Sequence, residues 1–310
     1  MKEDPPEVRR ILKSDRDDIL EISGKIWGGH DYLPSVIDEW LADPTCHTYG
    51  VEAEGRIVAI GNLRLVDRGK TGWMEGLRVH ADHRKKGYAK MLTQHFLRIG
   101  GDLGVKRFRY TTGSNNRASI RLANMAGFKQ LFKTSVIWHE NLKATLRTTR
   151  TRITVREATA LEVKEIQENN PDLVPQGILI YDWKAVEGTA AGLRQIGKDH
   201  RFYVRKNTED PKSFSFGQAR EDMESKWWSF TIYSANVREF AAHFKNHLKM
   251  ALEIGLDATV CTASTQLEKA FKTQHMPRPR RKMQLIMFEK PASPPLKFDT
   301  SNAHLTRHRR

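Results

Sequence analysis

The residues best suited to chemistry form a short basic segment, Arg84–Ala89 (RKKGYA), called the basic loop below. An apolar stretch precedes it and a long amphipathic stretch follows, so we predict that it joins a strand to the start of a helix. The first N–H groups of a helix lack partners within it, and the helix dipole is positive there. Gly87 permits close approach of a ligand, and small Ala89 keeps the first turn clear for a phosphate or pyrophosphate. The remaining members of the predicted anion site are Arg84, Lys85, Lys86 and Tyr88. The alternative is a basic helix start capped by glycine.

Two elements must hold the basic loop in place. Trp73–His80 alternates apolar and polar positions, which predicts a strand. Lys86–Leu103 places apolar residues near one face, which predicts an amphipathic helix. The other elements predicted in this half are strands at Glu7–Lys13, His47–Glu52, Arg56–Val66, Val105–Thr112 and Phe132–His139, and helices at Ser14–Trp27, Val36–Leu41 and Asn116–Ala126.

A second pattern follows at the spacing expected after a strand. Asn116–Phe128 (NRASIRLANMAGF) joins an asparagine and a small helical residue to a terminal Gly-Phe. Together with the basic loop, it resembles the signatures of the GNAT acetyltransferase superfamily over about residues 6–140. The resemblance implies acetyl-CoA as the cofactor, with its pyrophosphate on the basic loop. It also implies an α/β (α+β) fold, a GNAT-type mixed sheet flanked by helices.

The resemblance assigns further residues to the cofactor site. In this superfamily the strand that carries Leu77-Arg78-Val79 splays from its neighbour and frees backbone amides for the pantetheine arm and the acetyl carbonyl. Asn116 would reach the cofactor from the other side of the cleft. Many members carry a tyrosine that protonates the CoA thiolate where this chain has Ala123. Tyr32 is one candidate substitute, and the other alternative is that no acid is needed.

An amine must lose a proton before it attacks a thioester, because an α-amino group is mostly protonated at neutral pH. Glu75 is the candidate general base, directly or through a water. It shares strand parity with Leu77 and Val79, so we expect it on the same side of the sheet. Two alternatives stay open: Glu75 anchors the substrate ammonium, or it is a structural carboxylate.

A closer resemblance concerns the acceptor. Gly28–Pro34 (GGHDYLP), followed by Glu75–Val79 (EGLRV), is similar to the histidine N-acetyltransferase group, whose members carry an additional C-terminal domain. By this resemblance, His30, Asp31 and Tyr32 bind the substrate. The alternative is a loop that merely packs on the core.

The second half repeats the element order of the first without its chemistry. Strand, long helix, strand, short helix and strand are predicted at Trp227–Tyr233, Val237–Ile254, Thr259–Ala263, Gln266–Thr273 and Lys282–Glu289. Ser234-Ala235-Asn236 lacks a phosphate loop, so we expect a degenerate GNAT-like domain that walls the acceptor site or dimerises. The predicted division is a catalytic domain at 1–140, a linker at 141–152, the second domain at 153–292 and a basic mobile tail at 293–310.

Composition narrows the class of protein. The 310 residues carry a net charge of +15, divided almost evenly between the halves, which favours polyanionic ligands without choosing among them. We expect neither specific nucleic-acid binding, a metal site nor membrane insertion, because aromatic platforms, ligand clusters and long apolar runs are lacking in the sequence. Two distant cysteines and a polar N-terminus favour the cytoplasm.

The sequence therefore predicts an acetyl-CoA-dependent N-acetyltransferase acting on a free, histidine-like amino acid or a related small primary amine, as a possible homodimer. The alternatives are a protein or peptide N-acetyltransferase, and a nucleic-acid-binding or scaffold protein on the same fold.

Overall fold

A computed structural model describes residues 5–29, 31–149, 151–221, 225–274, 276 and 278–293. In the first half the elements are β1 (Glu7–Arg10), α1 (Arg16–Gly24), α2 (Leu33–Ala42), β2 (Cys46–Ala53), β3 (Arg56–Val66), β4 (Thr71–Val79), α3 (Tyr88–Asp102), β5 (Arg107–Gly113), α4 (Arg117–Met125), β6 (Lys129–Glu140) and α5 (Leu142–Thr148). In the second half they are β7 (Val155–Ala158), α6 (Ala160–Asn169), β8 (Ile178–Tyr181), β9 (Lys184–Glu187), α7 (Ala190–Ile196), β10 (Arg201–Arg205), β11 (Ser213–Glu221), β12 (Lys226–Ser234), α8 (Val237–Glu253), β13 (Ala258–Ser264), α9 (Ala270–Thr273) and β14 (Arg281–Pro291).

Twelve strands form one continuous sheet in the order β1-β2-β3-β4-β5-β14-β6-β13-β12-β11-β10-β7, while β8 and β9 pair separately as a hairpin. Neighbouring strands are antiparallel except for β4–β5 and β12–β13, which are parallel. The mixed sheet flanked by helices that the sequence predicts is therefore confirmed.

The last strand of each half is exchanged between the halves. β14 lies between β5 and β6, and β6 in turn pairs with β13. Each half thus completes the other's sheet, and the two cannot separate without breaking backbone hydrogen bonds in the middle of the sheet. The predicted boundaries at residues 140 and 153 stay a prediction, and the exchange shows that neither segment holds all the strands of its own sheet.

Helices cover both faces of the first half. Leu92 and Phe96 of α3 are buried on one face, and Ile37 and Trp40 of α2 on the other. Gly104 follows the last turn of α3 in the left-handed conformation (φ 78°), which glycine adopts readily at the C-terminus of a helix. Among the described residues, every helix is too short or too polar to cross a membrane.

The predicted linker includes a packed helix. Leu142 of α5 is 1% exposed and belongs to the same apolar cluster as Phe244 and Leu248 of α8. This segment therefore contributes to the core of the second half.

A chain of buried polar side chains stabilises the second half under α8. Ser215 Oγ lies 2.7 Å from His243 Nδ1 and 2.9 Å from His247 Nε2, while Trp228 Nε1 donates to His247 Nδ1 at 3.0 Å. Burial lowers the pKa of His243 to about 3 and that of His247 well below its usual value. Both imidazoles are therefore neutral at physiological pH, and each has hydrogen-bond partners, as a structural network requires.

Candidate functional site

A wedge-shaped opening separates β4 from β5. The two strands pair only from Thr71–Arg107 to Trp73–Arg109. Beyond this point β4 follows β3 as far as Val79, while β5 follows β14 as far as Gly113. Leu77, Arg78 and Val79 therefore lie past the last β4–β5 pair, so β4 splays from its neighbour as predicted, and the binding of a ligand there stays a prediction.

The basic loop lies beside this opening. Gly87 is the N-cap of α3 with φ 90°, and a Cβ built on it would meet nothing within 4 Å. Lys85 also has positive φ (66°), so two left-handed residues shape the turn. The first N–H groups of α3 thus reach the surface without a side-chain cap. Arg84, Lys85 and Lys86 are exposed, Ala89 is half-buried, and the Tyr88 ring is buried in the cluster that Leu77 and Val79 also contact.

A β-bulge changes the direction of Glu75. Glu75 lies opposite Asn62 and Arg78 lies opposite Ile60, so Gly76 and Leu77 together face one residue of β3. Gly76 has φ 66°, and a Cβ there would come within 2.3 Å of Trp40. Only glycine fits this position, in both conformation and space.

The parity argument for Glu75 is therefore wrong. Opposed residues share a face, so Glu75 lies with Asn62 on the face that α1 and α2 cover. Leu77 packs on the opposite face, with α3. The bulge lies between the two residues and reverses the alternation.

Glu75 is the centre of a negatively charged cluster. Its Oε1 accepts hydrogen bonds from Asn62 Nδ2 at 2.9 Å and from Arg64 Nε at 3.0 Å. Arg64 also pairs with Asp43 at 2.6 Å and with Glu39 at 3.1 Å. Three carboxylates thus share one guanidinium, and Oε2 of Glu75 accepts no hydrogen bond from the residues that the structure describes. An ammonium group would be attracted to this cluster.

The predicted acceptor loop is held in place by Arg78. The Asp31 carboxylate, fully buried, accepts two hydrogen bonds from Arg78, at 2.9 Å from Nε and 3.0 Å from Nη2. The guanidinium carbon of Arg78 lies 5.2 Å from the centroid of the Tyr32 ring. Asp31 therefore orients the loop through a bidentate ion pair, Tyr32 is 40% exposed beside it, and His30 lies outside the described residues.

Asn116 and Ala123 have clear structural roles. Asn116 is the N-cap of α4 and its Oδ1 accepts from Ser119 N at 3.2 Å. Its side chain is exposed, and its amide nitrogen remains the group that could reach a cofactor. Ala123 is 1% exposed and packs in the core, so no catalytic group takes the place of the family's tyrosine there.

The corresponding opening of the second half is closed. β12 and β13 pair over five residues, from Trp228–Thr259 to Ile232–Ala263. Oδ1 of Asn236 caps α8 by accepting from Arg238 N and Glu239 N, at 3.1 and 3.0 Å. The N–H groups that bind a phosphate on a bare helix end are therefore already used in α8, and acidic Glu239 stands in its first turn.

Two residues that position Glu75, Asn62 and Arg64, were not predicted from the sequence. A signal was present in the sequence, because both polar residues interrupt the apolar run of β3 at alternate positions.

Each half of the chain matches a known family. Residues 11–128 match the acetyltransferase (GNAT) family, and residues 150–265 match the C-terminal domain of histidine N-acetyltransferase. The chain is 29% identical over 196 residues to Probable N-acetyltransferase 16 of Homo sapiens, over 58% of this chain and 53% of that protein. It is 36% identical over 96 residues to histidine N-acetyltransferase of Oreochromis niloticus, over 31% of this chain and 27% of that protein.

The chain thus spans about half the length of the first relative and about a quarter of the second. A solved tandem GNAT protein from the clavulanic acid biosynthesis pathway superposes with a TM-score of 0.60 at 12% identity, over 94% of this chain and 99% of that one. At this identity the likeness concerns the fold alone. The predicted resemblance to the GNAT superfamily and to its histidine N-acetyltransferase group is confirmed.

Proposed function

We propose that this chain, which joins a GNAT acetyltransferase domain to a C-terminal domain of the histidine N-acetyltransferase kind, moves an acetyl group from acetyl-CoA to the primary amine of a free amino acid. Histidine is the first candidate, because relatives named histidine N-acetyltransferase match parts of the chain at 31% to 36% identity.

One observation carries the proposal. Two long helices hold equivalent places in the two halves, and only α3 begins with an uncapped, glycine-containing basic loop. A pyrophosphate bound at Gly87–Ala89 would accept hydrogen bonds from the free N–H groups of the first turn. The positive charges of Arg84, Lys85 and Lys86 would balance its negative charge. The contrast with α8, capped by Asn236, supports a single cofactor site in the first half.

Acetyl-CoA, when bound, supplies the acetyl thioester. Backbone N–H groups on the open edge of β4, at Leu77 to Val79, would then stabilise the negative charge that develops on the carbonyl oxygen. No side chain needs to form a covalent bond, since an amine held in line with the thioester attacks directly.

The face of the sheet that carries Glu75 suits the acceptor. The three carboxylates around Arg64 form a negatively charged region in a protein that is otherwise basic. This region would attract the ammonium group of the acceptor. Oε2 of Glu75 would take the proton that the amine must lose, directly or through a water. Asn62 and Arg64 fix the carboxylate for this role by holding Oε1.

A thiol-release assay tests this function. Acetyl-CoA is supplied with free histidine, other free amino acids, polyamines or a peptide with a free N-terminus, and CoA thiol is followed over time. We expect free histidine or another small amino acid to accelerate release well above the rate without acceptor, and the peptide to be a poor acceptor. Preferential use of the peptide would replace the proposal by peptide acetylation. No release with any amine, together with salt-dependent retention on DNA, would favour the non-enzymatic alternative.

A further inference from the structure

A hairpin of the second half packs on the sheet of the first. Ile178 and Ile180 of β8 and Ala185 of β9 form an apolar cluster with Val66 of β3 and Trp73 of β4. Trp73 precedes Glu75 by two residues with no bulge between them, so the hairpin covers the face of the sheet to which Glu75 belongs.

The hairpin runs along β5 towards the wedge-shaped opening. Glu187 of β9 accepts hydrogen bonds from Arg107 and Arg109, both at 2.7 Å. Thr111 Oγ1 donates to the carbonyl oxygen of Trp183 at 3.0 Å. Three alternate residues of β5, which lie on one face of the sheet, thus contact the hairpin from its open end at Glu187 to its turn at Trp183. Since β4 and β5 part after Arg109, the turn lies beside the opening itself.

The turn is held in an uncommon backbone conformation. Asp182 and Trp183 have φ values of 44° and 67°, which a bulky side chain such as that of tryptophan rarely adopts. The Asp182 carboxylate is anchored in the second half, where Oδ2 lies 3.2 Å from His200 Nε2 and 2.5 Å from Gln218 Nε2. Tyr181 pairs with Lys184, so these are the two central residues of a two-residue hairpin loop, in which positive φ at both positions matches the twist of the strands.

The side chains of the turn are directed to different environments. Trp183 is 45% exposed, and its ring centroid lies 6.2 Å from that of Trp138. Burial raises the pKa of Tyr181 to about 12, and the charges of Asp182, Arg64, Asp67 and Glu75 also act on its hydroxyl. The Tyr181 ring itself packs in the core of the second half, with its centroid 5.5 Å from that of the His200 ring, so the turn joins that core to the edge of the opening.

We infer that the turn Tyr181–Lys184 forms the wall of the acceptor pocket opposite the Asp31–Tyr32 loop, and that the exposed indole of Trp183 packs on a planar side chain of the amine. The inference rests on the proposed function and specifies its substrate class. It makes Trp183 a specificity determinant that the second half supplies to the catalytic centre of the first. A ring of the acceptor would lie against the indole while its amino group meets the Glu75 cluster.

The test compares Trp183→Ala with wild-type protein, using free histidine and free alanine as acceptors. We expect the KM for histidine to rise roughly 10-fold in the variant, while kcat is largely kept, because a stacking partner is lost and the reacting groups are not. The KM for alanine should change little. Trp183→Phe should recover most of the preference for histidine. The matched surface control is Leu161→Ala, which removes a 68% exposed apolar side chain of α6.

Each outcome separates the inference from the function on which it rests. If wild-type protein transfers acetyl groups and Trp183→Ala leaves both KM values unchanged, the inference is overturned and the proposed function stands. If wild-type protein transfers to no amine, the proposed function fails and the inference fails with it. Loss of kcat with both acceptors, or of acetyl-CoA affinity by calorimetry, would show a structural role and would also overturn the inference. A selective rise in the histidine KM, reversed by phenylalanine, supports it.

Discussion

Glu75→Gln is expected to lower kcat by roughly 100- to 10,000-fold with little change in acetyl-CoA affinity, because an amide cannot accept the proton that the amine must lose. The substitution is nearly isosteric, and the glutamine Oε1 can still accept from Asn62 and Arg64, so the fold should be kept. Steady-state kinetics over a range of pH measure the effect, and the acidic limb of the pH–rate profile should weaken.

A matched control is Glu239→Gln, which makes the same change in a buried glutamate paired with Arg205 at 2.8 Å in the second half. It should leave kcat near the wild-type value. If Glu75 instead anchors the substrate ammonium, the KM for the amine should rise while kcat at saturation survives. Kinetic parameters that both stay near wild type would exclude the base and the anchor alike.

Gly87→Asp should weaken acetyl-CoA binding by roughly 100- to 1,000-fold, since a carboxylate would stand where the pyrophosphate binds and a few kcal/mol of repulsion are expected near a surface. Isothermal calorimetry with the full chain measures this loss. Wild-type protein should bind one acetyl-CoA per chain, because α8 lacks the basic loop and its first turn is capped by Asn236.

Gly255→Asp is the control for backbone strain and charge. Gly255 has φ 79°, close to the 90° of Gly87, and a Cβ on either residue would meet nothing within 4 Å. This variant should bind acetyl-CoA normally even if it loses some stability. If Gly87→Asp binds acetyl-CoA with unchanged affinity, the cofactor site does not lie on the basic loop. Two equivalent acetyl-CoA sites per chain would refute the prediction that the second half has lost its cofactor site.

Local chemistry could be predicted from the sequence because it depends on neighbouring residues. The basic loop lies where the pattern places it, and the helix predicted at Val237–Ile254 is observed at Val237–Glu253. Amphipathic periodicity and glycine punctuation determine such elements within a few residues of the chain.

Features that depend on distant residues were not predictable. The exchange of β6 and β14 pairs segments about 150 residues apart, and no local pattern encodes such a partner. The bulge at Gly76 reversed the direction of Glu75, since one additional residue in a strand inverts the alternation after it. The hairpin that carries Trp183 likewise reaches the first half through tertiary contacts with Trp73 and Thr111.

The most direct test of the central claim follows the acetyl group itself. Acetyl-CoA with an isotopically labelled acetyl group is incubated with wild-type protein and free histidine, and the products are analysed by mass spectrometry. We expect the label in an amide on the α-nitrogen of the amino acid, none on the protein, and far less labelled product with Gly87→Asp at the same acetyl-CoA concentration. Label held on a protein side chain, or released only as acetate while the amine stays unlabelled, would contradict direct transfer from acetyl-CoA to the amine.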